Sequence, residues 1–402
     1  MSFPSVKEIL EDRNLATLIL IVMSVQFVFW EGFAISIPKV VFMGCMLIVF
    51  IARCAQLTKA LILGYAFLLV TLFMCQFQPI PPRYSTLGYS LLFINTFIVY
   101  YNLVWIKNCF SIEYFIKLTS CFIYAYCICM ILQQIFLLIG IRSFSLINLG
   151  GWDIYHLRSL AIEPSQAGRL LAVFFYAFLK ATEYANGGPL KISELFKQYK
   201  WVVLAFLYTI IGVGSGTAIV GLAIVSLYFV RKTYAFFIIL TALLVYITIP
   251  YLDYEPLNRA MVTFNAALTG DTQEVIKADH SASARVNILL DTFNKLDLTD
   301  PQIWIGYGID AQREYAINSA IYDYGMISYL FKILFFMVCC FTGFFTIETL
   351  MFILLFSMNI GNIAYGWSAL MFFSTIKYFK QNYIFEERNL NNEDDNIQYI
   401  EE

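Results

Sequence analysis

The densest run of chemically capable residues is Arg158-Ser-Leu-Ala-Ile-Glu163-Pro164-Ser165-Gln-Ala-Gly-Arg169. Two guanidinium groups bracket one carboxylate. Guanidinium forks grip phosphate oxygens in pairs, and a carboxylate within reach of a hydroxyl can take its proton. Pro164 disfavours helix for Glu163 and itself suits the first helical turn. A helix is therefore predicted to start near Pro164, with Glu163 just outside it, facing the positive end of the helix dipole. Arg169 lies about 7–8 Å deeper at 1.5 Å per residue, on the face that carries Ser165. Two readings stand side by side. Arg158, Glu163 and Arg169 form a structural ion-pair cluster at a helix end, or they line a site for an anionic substrate.

A second group lies further along. Arg285 and Arg313 could each present a fork to a phosphate. His280, one of 2 histidines, has the right chemistry for a general base, or it is an idle surface residue. The run Trp304-Ile-Gly306-Tyr307-Gly308-Ile-Asp310 reads as a tight turn with aromatic rims. No Lys-Ser/Thr follows it, so a phosphate-cradling glycine loop is disfavoured. Tyr322-Asp323-Tyr324 fits an interfacial aromatic belt; with Tyr307, the two tyrosines alternatively offer faces on which sugar rings stack. Gly212-Val-Gly-Ser-Gly-Thr217 reads as a tight turn between closely packed helices. No clustered Cys/His ligand set appears, and the long polar gaps lack Asp-x-Asp, so neither a metal nor another cofactor is implied.

These residues sit in gaps between apolar runs. The chain has 402 residues, 60% hydrophobic and only 13% charged, with mean hydropathy +0.71. A soluble domain carries about 25% charged residues. A spanning helix needs about 20 mostly apolar residues, and the runs lack the alternation of a barrel strand. The expectation is an all-α polytopic membrane protein, a single domain over 1–402 with about twelve spans. The candidates are Leu15–Trp30, Pro38–Ala52, Ala60–Cys75, Ser85–Ile106, Phe115–Ile139, Gln166–Leu179, Trp201–Val213, Gly216–Val230, Tyr234–Ile249, Ile321–Cys339, Thr342–Met358 and Ile363–Ile376. Residues 140–165 form a first long loop, and 251–319 a large loop between the ninth and tenth spans. Within that loop, Ser283–Leu296 carries an apolar stripe at helical spacing.

Lys and Arg crowd the short gaps of one side, among them Lys59, Lys107, Lys180, Arg231 and Lys377. The positive-inside rule makes that side cytoplasmic. Both termini are then cytoplasmic, with 377–402 as an acidic, solvated tail, and both long loops face outward. All 9 cysteines fall in or near apolar runs, which implies no disulfide staple in the loops. A net charge of −2 offers no basic patch for nucleic acid.

The combination resembles a known family. A many-span chain with Arg158-x4-Glu163-Pro-Ser before a span, a Gly214-Ser-Gly-Thr217 turn and a large late outward loop is similar to the O-antigen polymerase (Wzy) family. So is the close of that loop, Ile305-Gly-Tyr-Gly308 leading through Asn318 to Tyr322-Asp-Tyr-Gly325-Met. Related O-antigen ligases often carry a histidine just before that later span, where this chain has Asn318 and Ser319. The resemblance implies a metal-independent glycosyltransferase of the bacterial inner membrane, acting at its outer face. It would join oligosaccharide repeat units carried on undecaprenyl diphosphate into O-antigen or capsule-type polysaccharide. Arg158 and Arg285, then Arg169 and Arg313, would hold the diphosphate. Glu163, with His280 behind it, would be the base. Tyr307, Tyr322 and Tyr324 would meet sugar. The partners would be the lipid-linked donor and acceptor, membrane lipid and a chain-length regulator protein. A ligase and a lipid-linked oligosaccharide flippase or transporter are the competing expectations. Transporters place ionisable residues near the midplane, whereas the polar residues here crowd one outer face.

Overall fold

A computed structural model describes residues 11–26, 36–53, 56, 58–140, 157–230, 262, 296–309 and 319–398. Among them there are helices and connecting turns and no strand. In chain order the described helices are α1 (Asp12–Ser24), α2 (Ile37–Arg53), α3 (Lys59–Met74, extended by a 3-10 turn at Cys75–Phe77), α4 (Tyr84–Trp105), α5 (Ile112–Leu138), α6 (Pro164–Ala185), α7 (Ile192–Gly212) and α8 (Gly216–Ser226). They are followed by the short α9 (Pro301–Ile305) and α10 (Ser319–Tyr324), then α11 (Met326–Cys339), α12 (Ile347–Leu354) and α13 (Ala364–Gln398).

Among the described residues, three helices are long and apolar enough to cross a membrane: Lys59–Phe77, Tyr84–Trp105 and Ile112–Leu138. Ile37–Ala52, Gly216–Phe229 and Met326–Cys339 are apolar but shorter. Burial runs opposite to hydropathy. The segment Lys59–Phe77 has mean hydropathy 2.1 and is 33% buried, while Tyr84–Trp105 has 1.4 and is 78% buried. The most apolar helices thus turn their side chains outward, Ile48, Ile51, Leu69 and Leu138 among them. Water-soluble monomers rarely expose apolar surface on this scale; such an exterior is compatible with lipid as the outer solvent.

The core is built around α6, which packs against α5, α8 and α13. A helix that is apolar nearly all round is a buried one, and α6 is buried from Leu170 to Leu179. Close approach to α8 depends on small residues. A Cβ on Gly168 would lie 2.6 Å from Ala218 Cβ, and one on Gly221 would lie 2.9 Å from Ala172 Cβ. The turn before α8 has Gly214 at φ +59°, as the glycine run predicts.

Several boundaries differ from the sequence expectation. The run Ile321–Cys339 is not one helix: Gly325, at φ 82° and ψ 153°, separates α10 from α11. That backbone region is open essentially to glycine alone. Thr342–Met358 shrinks to the eight residues of α12, begun by Thr346, whose hydroxyl accepts from Thr349 N–H at 3.3 Å. The last helix outruns Ile363–Ile376 and continues to Gln398. Helix α7 begins nine residues before Trp201 and kinks at Tyr199. The ninth candidate, Tyr234–Ile249, and the stripe Ser283–Leu296 lie outside the described residues, apart from Leu296 itself.

Candidate functional site

Helix α6 starts at Pro164, with Glu163 in extended conformation at its N-cap, as the X-Pro rule requires. The segment carrying Arg158 is held from two sides. Gln133 of α5 donates its amide to Ser159 O at 3.1 Å and accepts from Ser159 N–H at 2.9 Å. Gln26, just past α1, donates its backbone N–H to Leu160 O at 2.9 Å. Ser159 also donates its hydroxyl to Tyr126 O at 2.7 Å and sits at φ +50°. Arg158 is half-buried, and burial lowers its pKa; the nearby Glu163 carboxylate opposes that shift. Glu163 is exposed and accepts from the Ser165 hydroxyl at 3.3 Å.

Arg169 points elsewhere. Its Nη1 donates to the Tyr365 hydroxyl of α13 at 2.7 Å, and the guanidinium lies 5.9 Å from the Phe356 ring centre. Its Nε is buried with no hydrogen-bond partner. Among the described residues no carboxylate pairs with it.

Tyr365 also borders a cavity of about 110 Å³. Three helices begin at its wall: Ser36 and Lys39 flank the start of α2, Gln166 sits in the first turn of α6, and Ala364 opens α13. Helix N-termini present unpaired N–H groups and the positive end of the macrodipole. Lys39 is only 6% exposed. Its ammonium has no hydrogen-bond or ion-pair partner among the described residues, and no described acidic residue lines the cavity. Lys39 is assigned no role from sequence alone. The available signal was a lysine directly after Pro38 at the head of an apolar helix, since a charge inside an apolar span marks a functional position by default.

The tyrosine group lies at the same end of the bundle. Asn362 lines the cavity, donates to Thr86 O at 2.9 Å and accepts from the Ser90 hydroxyl at 3.0 Å. Close by, Ile80 N–H donates to Tyr307 O at 3.2 Å and Arg83 N–H to Ile309 O at 3.3 Å. Gln78 donates to both Ile305 O and Asp323 O at 3.0 Å. Gly306 and Gly325 face each other so closely that a Cβ on Gly325 would lie 2.4 Å from the Ile305 carbonyl carbon. This brings together Ile305–Gly308 and Tyr322–Gly325. Tyr307 stacks on Tyr322 with ring centres 5.9 Å apart, and its hydroxyl donates to Asp300 at 2.7 Å. Tyr324 turns inward, its ring 5.5 Å from Lys332 Nζ and 6.2 Å from the Phe67 ring.

The structure therefore places Arg158, Glu163 and Arg169 around the head of α6, and Tyr307 with Tyr322 at the Gly306–Gly325 crossing. His280, Arg285 and Arg313 lie outside the described residues. No protein family, curated protein or solved structure matches this chain.

Proposed function

We propose that this chain is a polytopic membrane glycosyltransferase that polymerises lipid-diphosphate-linked oligosaccharide repeat units. In this reading it spans the bacterial inner membrane about twelve times, with its termini in the cytoplasm and the head of α6 at the outer face. One observation carries the reading. A bundle with a lipid-compatible exterior gathers two arginines, a buried lysine and an exposed carboxylate around one helix end, and carries a stacked tyrosine pair at a separate crossing. Such an arrangement suits a substrate with a lipid stalk, an anionic joint and a sugar head.

The chemistry follows. The acceptor sugar hydroxyl attacks the anomeric carbon of the donor glycan. The new glycosidic C–O bond forms as the bond to the diphosphate oxygen breaks, and the lipid diphosphate leaves with that electron pair. Arg158, with Arg285 from the large loop, neutralises the charge growing on the leaving group; Arg169 and Arg313 lend secondary charge. Glu163, exposed at the helix N-cap, takes the hydroxyl proton, and His280 is the second candidate. Tyr307 and Tyr322 present ring faces to sugar.

The test is the surface polysaccharide of a strain that lacks this gene and carries a plasmid-borne variant. Arg158→Ala is expected to insert normally and leave single repeat units on the acceptor, and Glu163→Gln to do the same while keeping side-chain shape. A ladder of normal length from Arg158→Ala would remove it from the mechanism. Deletion that leaves no units on the acceptor would point to a ligase, and units trapped inside to a flippase.

A further inference from the structure

We infer that the cavity between the heads of α2, α6 and α13 is a seat for a phosphate ester, with Lys39 as its counter-charge. A buried ammonium without a partner is costly, and a protein keeps one where a ligand completes it. Lys39 is buried beside the cavity and has no hydrogen-bond or ion-pair partner among the described residues. The three helix starts supply a positive field there, which favours an anion and disfavours an unneutralised lysine. Gln166 offers a neutral amide donor on the same wall. Arg169, one residue removed through Tyr365, adds a second cation with a spare buried N–H. At roughly 10–15 Å³ for each water, about 110 Å³ holds several waters, and a phosphoryl group would displace them.

The contrast with Lys332 sharpens the inference. Lys332 is as deeply buried, at 5% exposure, but its ammonium donates to Asn359 Oδ1 at 3.4 Å and lies over the Phe67 and Tyr324 rings. That lysine has partners within the described fold, and Lys39 has none among the described residues.

For the identity of the lipid the inference rests on the polymerase reading; the anion seat itself does not. The full chain in phosphatidylcholine nanodiscs would be titrated with inorganic pyrophosphate, and in a parallel arm loaded with undecaprenyl diphosphate. Wild type is expected to bind with a rise in unfolding temperature. Lys39→Met should weaken the affinity about tenfold or more, equivalent to about 1.4 kcal/mol, and Lys39→Arg should recover most of it. If Lys39→Met fails to give a cooperative unfolding transition, Lys39→Gln takes its place. Equal affinity in wild type and the charge-free variant, or no binding of either probe by folded wild type, would overturn the seat. Lysine-dependent binding that favours the lipid arm assigns the site to a lipid headgroup; equal binding in both arms assigns it to free phosphate. Lysine-dependent binding by a chain that extends no glycan would uphold the seat and end the polymerase reading.

Discussion

Two segments at one end of the bundle each take two hydrogen bonds from one glutamine side chain, and they differ in what that clamp encloses. Gln133 clamps both backbone polar groups of Ser159, and the chain beyond it leads into a basic cavity. Gln78 bridges Ile305 O and Asp323 O, and behind it Gly306 and Gly325 are pressed together with no space left. The difference separates a frame from a site. The glycine crossing spends its polar groups on itself, Gln78 Oε1 excepted, and fixes where α11 begins. The α6 head is equally anchored yet leaves a lysine, a guanidinium N–H and a carboxylate without full internal partners.

Substitutions in the two regions should therefore fail in different ways. The largest expected effect is at Gly325. An alanine there must adopt a conformation that costs about 1–3 kcal/mol, and its Cβ meets Ile305 backbone at 2.4 Å. Gly325→Ala should lower the unfolding temperature sharply or abolish folded protein, read by thermal unfolding in detergent. An unchanged transition would show that the crossing is looser than described. Next come the glutamines. Gln78→Leu strands two carbonyls and Gln133→Leu strands one N–H and one C=O, each at about 1–3 kcal/mol per buried group. Both should lose stability. At equal stability loss Gln133→Leu should also shorten the glycan, because Arg158 is next to the clamped residue. Equal activity in the two would erase the distinction. The smallest effect is Lys39→Met without ligand. Removing an unpaired buried charge is neutral or stabilising, so its unfolding temperature should match or exceed wild type. A marked drop would mean that Lys39 has a structural partner.

How much of this could be read from the chain alone varied with the range of the interactions. The start of α6 was legible because the X-Pro rule is local. So were the apolar runs of α2 to α5, whose length and composition are contiguous. The Gly-Val-Gly-Ser-Gly turn was legible as close packing, though not that Gly168 meets Ala218. The break at Gly325 was hidden inside a continuous apolar run, since nothing local forces a glycine to take positive φ. The cavity was hidden for the same reason. Its walls come from five helices distant in sequence, and Lys39 becomes conspicuous only when no acceptor is found beside it. Gln133, an uncharged residue in an apolar helix, gave no sign that it would hold the Arg158 segment 26 residues away.

The most direct measurement is glycan extension by the purified full chain in phosphatidylcholine liposomes supplied only with undecaprenyl-diphosphate-linked repeat units. The account predicts a ladder of longer lipid-linked glycans with release of undecaprenyl diphosphate, lost in Arg158→Ala. Repeat units left unextended by folded wild-type protein would contradict it.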